Sequence, residues 1–337
     1  MNLNKSYASW SLFFSWGGFV FLSVNFFTGI ILSKASIENF IIGNFIGFVL
    51  LALTLYPTIY ISIKYKVNFS ETVNKFIKIN FLQKGLLILV LLINIGWYSI
   101  QLTAVWDILK IFHLNIVILL FISYLFAYGS YKFGYDWLKN FSIITLVFFI
   151  LYLVVVLISG KNIISIEKVD NEYLTIWQVS LLVYGTWAFS SSTIVMDITK
   201  YTNDFKKSYF YILLATLFFN FLLIFFGYYF GRYTQINTFM DFVSILGLSI
   251  GIILFLLNIW TTNDSNFFSS MQILKNFNIN KKIVFTILPL INGLLAIYYQ
   301  DDLFSVIGKW LKLMSWIGIP MSLYWWLVLY FDLREVL

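Results

Sequence analysis

Apolar runs of the length that crosses a bilayer, ~20 residues each, follow one another along the whole chain, with short polar stretches between them. The pattern predicts an all-α membrane protein of about ten transmembrane helices, at 9–32, 40–63, 85–109, 114–128, 141–158, 176–196, 209–230, 242–262, 283–299 and 303–331. A polar, amphipathic stretch with Lys64, Lys66, Lys75, Lys78 and Lys84 separates the second run from the third. The longest outside loop, GKNIISIEKVDNEYLT, precedes the sixth.

Composition agrees with this pattern. The chain has 337 residues, 61% of them hydrophobic and only 11% charged, against roughly 25% charged in a soluble domain. A mean hydropathy of +0.87 leaves too little polar surface for a globular core, so the lipid bilayer is the natural solvent. The spans use nearly the whole length, which makes 1–337 a single transmembrane domain. The opening residues MNLNKSYASW show no cleavage site and read as leading into a retained helix. A net charge of +7 does not point to nucleic acid, because the basic residues sit in short loops between spans. With the N-terminus inside, 15 of the 22 basic residues fall on the cytoplasmic side and 6 outside, leaving Lys312 in the last span. That bias predicts a multi-pass protein of the plasma membrane with both termini cytoplasmic.

The chemistry available is narrow. The chain lacks cysteine, and His113 is its one histidine, so disulfides, thiolate sites and histidine metal clusters are excluded. A membrane-embedded enzyme needs converging nucleophile, base or metal groups; none is visible, and the expectation is no enzyme and no cofactor.

Ten helices can be arranged as five plus five, and an odd repeat length inverts the second half in the membrane. The halves expected are about 9–159 and 176–331. Each opens on a span containing glycine, SWGGF with Gly17 and Gly18 in one and YGTWAFSSS with Gly185 in the other. Glycine also serves ordinary helix packing, and both readings stand at this level.

Polar side chains inside spans must find a partner or a wet cavity. In the third span, NIGWYSIQL carries Trp97 and Gln101, which lie one turn apart on one face. A ring and an amide so placed suit a planar heterocycle, since stacking a base on an aromatic side chain contributes ~1–3 kcal/mol; interhelical glue is the competing explanation. The eighth span ends in LNIWTTNDSNFF, where Asn258, Thr261 and Thr262 form an oxygen-rich face followed by Asn263 and Asp264. A charged Asp at mid-membrane costs ~2.5–3.5 kcal/mol. The apolar residues beyond it place the cluster at mid-depth rather than at the span's inner end. Oxygen ligands suit a hard cation such as sodium. The sixth span adds Trp187, Ser190, Ser191, Ser192 and Thr193, then Asp197 and Lys200; three consecutive serines weaken a helix. A break there makes Trp187 either a second stacking wall or ordinary packing.

These strings, with ASIENFIIGNFIG after the first span, resemble the nucleobase–cation symporters over essentially the whole chain. The resemblance is closest to the cytosine permease branch, and LNIWTTND carries it most specifically. It implies a LeuT-type five-plus-five inverted repeat with broken helices one and six. It implies import of a nucleobase or related planar heterocycle (cytosine, a purine or hydroxymethylpyrimidine) by symport with sodium or a proton. Trp97 would stack on the substrate, Gln101 would bond its edge, and Trp187 or Ala188 would form the opposite wall near Ser190. Asn263 and Asp264 would face the substrate. Asn258 and Thr261 would bind sodium together with the backbone carbonyls of Gly18 and Leu22. The family usually has two further spans, outside the five-plus-five core; its basic residue after Asp197 is commonly Arg, here Lys200; and some cytosine permeases have glycine where this chain has Gln101. The rival readings are a same-fold carrier of hydantoin, allantoin or an amino acid, and a channel-like membrane protein.

Overall fold

The computed structural model describes residues 8–20, 23–160, 174–233, 252–298 and 303–334. Among the described residues the chain forms fourteen α-helices and one π-helical turn, with no strand. The first predicted span is a bent pair, α1 (Ser11–Val20) and α2 (Ser23–Leu32). The second is α3 (Ile37–Tyr65), and the lysine-rich stretch after it holds a short helix, α4 (Phe69–Phe76). Then come α5 (Asn80–Ile111), α6 (Ile116–Phe133) and α7 (Tyr135–Gly160). The sixth predicted span is again a pair, α8 (Ile176–Ser192) and α9 (Ile194–Thr199). The seventh is α10 (Phe205–Ala215) and α11 (Leu222–Tyr233), joined by the π-helical turn Thr216–Phe221. α12 (Ile252–Lys275), α13 (Lys281–Tyr298) and α14 (Leu303–Arg334) complete the chain.

The described parts of all ten predicted spans fall on helices. With 205–233 (α10, the π-helical turn and α11) taken as one continuous helix, six helices among the described residues are long and apolar enough to cross a membrane, and the bent first pair makes a seventh. Two others fall short for a physical reason: α8 is only 17 residues before its break, and α12 carries the polar cluster. The boundary of the eighth span needs correction, because the helix runs on to Lys275 rather than ending near Thr262. Asn263, Asp264, Ser265 and Asn266 are all buried among neighbouring helices, so their polarity does not end the helix as water would. The start of that span at 242, Leu22 and the acidic loop residues Glu167, Asp170, Glu172, Asp301 and Asp302 lie outside the described residues.

Local signals set several helix ends. Ser36 caps α3, accepting from Asn39 N–H at 3.2 Å, and α3 stops where Lys66 turns left-handed at φ 54°. Asn68 with Glu71 forms a capping box on α4, and Thr175 with Gln178 another on α8; each such cap contributes about 1 kcal/mol.

Both broken helices lie in the interior. α1 and α2 meet at 54°. Between α8 and α9, Thr193 leaves helical geometry with φ −133° and ψ −74°. Breaks release carbonyls that water does not reach, so protein groups must bond them. Thr58 Oγ1 of α3 donates to Ser191 O at 3.0 Å and Trp325 Nε1 of α14 to Ser192 O at 3.1 Å; beyond the break, Ser62 Oγ of α3 donates to Met196 O at 2.9 Å near the end of α9. Ser192 and Thr193 bond back to Ala188 O and Phe189 O at 2.7 and 2.9 Å, the competition with helical bonding that a hydroxyl run sets up.

α8 packs most extensively against α3 and α14. Its approach to α3 is along Gly43 and Gly47, one turn apart, where an added Cβ would lie 2.6 Å from Val179 Cβ and 2.7 Å from Val183 Cβ. Small residues at this spacing let helix backbones approach closely without the hydrophobic driving force that water supplies. Gly47→Leu is therefore expected to lower the melting temperature of the detergent-solubilised protein, with a destabilisation of about 1–3 kcal/mol from overpacking. Gly85→Ala, where an added Cβ meets nothing within 4 Å, is expected not to lower it.

Candidate functional site

Where the two breaks meet α5 and α12, a cavity opens. It is lined by Phe19 of α1, Val24 of α2, Trp97 and Gln101 of α5, Thr186, Trp187 and Ser190 of α8, and Thr262 and Asn266 of α12. Among the described residues no charged side chain lines it. It is tight: about 20 Å³ is open to the centre of a water-sized sphere, room for about one water. Admitting a heterocycle requires its walls to part.

Each wall is fixed by groups behind it. Along α5, Tyr98 Oη donates to Ser123 O of α6 at 2.7 Å, and Thr103 Oγ1 to Ala296 O of α13 at 3.2 Å. These bonds set the helix rotation that turns Trp97 and Gln101 to the cavity. Trp97 also meets Trp310 of α14 edge to face, centroids 6.2 Å apart at 84°, and Trp310 lies directly over Gly96. Opposite, Trp187 Nε1 donates to Asn25 Oδ1 at 2.9 Å. The amide nitrogen of Asn25 in turn donates to Val20 O, a carbonyl released by the bend in the first span. Indole N–H can only donate, which fixes the orientation of the amide. Phe19 completes this wall, its ring centroid 5.3 Å from that of Trp187. Its neighbour Trp16 is held by a bond from Nε1 to Thr216 Oγ1, at 2.9 Å, in the π-helical turn.

Two amides in the lining have unused capacity. Gln101 Oε1 and Asn266 Nδ2 are buried without a hydrogen-bond partner. Native proteins rarely leave buried polar atoms unpaired, and each costs about 1–3 kcal/mol. An acceptor on one side and a donor on the other form a pair of positions for a ligand that carries both.

The structure thus gathers Trp97, Gln101, Trp187 and Ser190 around one cavity. Asn263 and Asp264 are not among the residues that line it. One residue step turns a helix by about 100°, so Thr262 and Asn266, one turn apart, share the cavity face while Asn263 and Asp264 point elsewhere. Asp264 Oδ1 instead accepts from the backbone N–H of Ser130 at 3.0 Å, and Ser130 Oγ donates to Asp264 O at 3.2 Å, which ties α12 to the last turn of α6. Asn258 and Thr261 are buried on α12 outside the cavity lining, with Thr261 Oγ1 donating to Asn258 O at 2.8 Å. Gly18 packs against Ser142 of α7. Asp197 accepts from Phe69 N–H at 3.2 Å, and Lys200 pairs with Glu71 at 3.5 Å, so both secure α4 to the broken helix.

Sequence reasoning passed over Asn25, Phe19, Thr262's role in the lining, Asn266 and Trp310. Asn25 did leave a signal, as a lone amide in the apolar string SVNFFTGIIL. Asn266 left one too, four residues after Thr262.

Two discontinuous helices crossing at a buried aromatic cavity, within an all-helical bundle, define the LeuT-type transporter fold. The chain superposes on Mhp1, a nucleobase-cation-symport-1 family transporter, in a closed conformation with bromovinylhydantoin bound; the TM-score is 0.68 at 15% identity, over 94% of this chain and 78% of that one. An inward-facing conformation of Mhp1 matches at 0.66 with 15% identity, over 94% and 75%. A substrate-bound, outward-open Na⁺-coupled sialic acid symporter matches at 0.65 with 16% identity, over 94% and 77%. No protein-family model and no curated relative matches the sequence. At such identities the likeness is one of fold.

The Asn25 bridge makes a measurable prediction. Asn25→Leu leaves the Trp187 indole N–H buried and unpaired and is expected to cost about 1–3 kcal/mol. Combining it with Trp187→Phe is expected to cost less than the two single changes together, because the bonded partners are then both gone. Denaturation of the four proteins in detergent reads the coupling; strict additivity would mean the bond does not hold the two helices.

Proposed function

We propose that this protein is a cation-coupled secondary transporter that imports a nucleobase or related planar heterocycle, such as cytosine, a purine or hydroxymethylpyrimidine. The observation that carries the reading is the unpartnered amide oxygen of Gln101, buried beside the Trp97 ring and facing a cavity whose far wall holds Trp187. A flat neutral ring fits between aromatic walls, its N–H edge donating to Gln101 and an acceptor receiving Asn266 Nδ2. The absence of charge among the described lining residues favours a neutral ligand over an ionised one, since a buried unpaired charge is strongly unfavourable. Mhp1 binds bromovinylhydantoin in the same fold, and hydantoin is itself a flat ring with amide edges; it is the second reading kept.

The coupling cation is assigned to Asn258 and Thr261 of α12 with the carbonyls of Gly18 and Leu22. The donor chemistry fits: Thr261 gives its hydroxyl proton to Asn258 O and keeps lone pairs for a hard cation. A cation there stiffens the α12 turn that presents Thr262. Transport then proceeds by alternating access of two inverted halves, 9–159 and 176–331, each opening on a broken helix, with both termini on the cytoplasmic face of the plasma membrane. A ligand drives such a cycle only through its different affinities for the two facing states. Phe19 also lines a second small cavity with Ser15, Tyr135 and Lys139, and in this reading rotation of its ring is the step that would join the two.

A thermal-shift panel of pyrimidines, purines, hydantoins and thiamine precursors, with and without sodium, tests the reading. A true substrate at a hundredfold its Kd stabilises by about 2.7 kcal/mol. Trp97→Ala is expected to abolish the shift, and Gln101→Leu to weaken binding by about 5- to 150-fold, equivalent to about 1–3 kcal/mol. Binding that survives Trp97→Ala unchanged would remove the stacking role. Thr261→Val, nearly isosteric, is expected to leave binding but erase its dependence on sodium. In proteoliposomes, uptake is expected to saturate and to follow the sodium gradient; unsaturable flux would indicate a channel.

A further inference from the structure

A third, larger concavity lies on the outer surface of the bundle, away from the two cavities above. It is a groove of about 800 Å³ between the first turns of α5 (Phe81, Leu82, Gly85, Leu89) and the middle of α14 (Trp316, Pro320). Phe81 and Trp316 are 81% and 73% exposed. In a chain whose outer surface faces lipid, a long apolar trough of this kind takes an acyl chain.

The end of the groove is of different chemistry. There it is closed by the turn 76–79, which contributes Lys78. Gln83 pins this turn, its amide donating to Ile77 O and, at 3.3 Å, to Asn74 O. The neighbouring charges are already engaged: Lys64 pairs with Asp332 at 2.7 Å, and Lys75 lies 3.4 Å from the centroid of the Tyr65 ring. Lys78 is exposed, Lys84 stands one turn from the groove's start, and no acidic residue occurs between Glu71 and Asp107. An apolar trough ending at surplus positive charge complements an amphiphile with an anionic head.

We propose that this groove binds an anionic phospholipid, with one acyl chain between α5 and α14 and the phosphate at Lys78. The proposal depends on the membrane reading of the chain and not on the identity of the transported solute. Gly85 is the natural place to block the site, since an added Cβ there meets nothing within 4 Å and a bulky side chain enters the trough without displacing packed atoms.

Native mass spectrometry of the full chain, released from detergent after titration with dioleoylphosphatidylglycerol or dioleoylphosphatidylcholine, provides the test. The expected result is one phosphatidylglycerol retained at lower concentration than phosphatidylcholine. Lys78→Gln is expected to weaken the glycerol lipid about fivefold, the effect of one lysine at the membrane surface, and to leave the choline lipid unchanged. Gly85→Trp is expected to lose the retained lipid. Equal retention of the two lipids by the unmodified protein, or full retention by Gly85→Trp, overturns the proposal. So does a two-copy mass that Gly85→Trp abolishes, because the groove would then be an interface between copies. Should Gly85→Trp fail to give monodisperse protein, the Lys78→Gln comparison decides alone, at an exposed position that carries no packing.

Discussion

A helix broken inside a bundle releases backbone groups where no water can bond them, and the architecture depends on satisfying those groups with side chains. Asn25 does so at the first break. Its amide nitrogen bonds Val20 O while its oxygen receives the Trp187 indole N–H at 2.9 Å. One side chain therefore stabilises the bend in the first span and fixes the aromatic wall contributed by the sixth. At the other break, Thr58 and Trp325 bond the carbonyls of Ser191 and Ser192. α3 and α14 hold the second break as Asn25 holds the first. In the low dielectric of such an interior each of these bonds is stronger than at a surface, and each missing one is costlier.

The cavity follows from those restraints. Its aromatic walls come from α5 and α8, which are oriented by bonds on faces away from the cavity, so the polar atoms left inside are free for something else. Gln101 Oε1 and Asn266 Nδ2 are such atoms. Asp264, the one acidic residue of the α12 cluster, is turned toward Ser130 and serves the joint between α12 and α6. Among the described residues the charge of α12 thus lies outside the cavity lining, where a backbone N–H bonds it. Phe19 lines two small cavities.

Much of the helical order was readable along the chain because each span is a local property, a run of apolar residues of fixed length. The Trp97–Gln101 pair was readable for the same kind of reason, since spacing by one turn puts two side chains on one face whatever else surrounds them. The serine run announced the break after Ser192 through its competition for backbone bonds. The sequence reading places the end of the eighth span too early, near Thr262, although the apolar residues after WTTNDSN already point to a cluster inside the span. Packed against α5, α6 and α7, the string is helix interior and the helix runs to Lys275.

The sequence by itself determined an all-helical membrane bundle, its approximate spans, and which polar residues required an explanation, because hydropathy and helical period act over a few residues at a time. Only the tertiary structure decided which of those polar residues meet. It joined Asn25 to Trp187 across 162 positions, placed Thr262 and Asn266 rather than Asn263 and Asp264 at the cavity, and set Trp310 over Gly96. Those outcomes depend on the rotation of each helix about its own axis. Packing against neighbours distant in the chain sets that angle, and no local pattern encodes it.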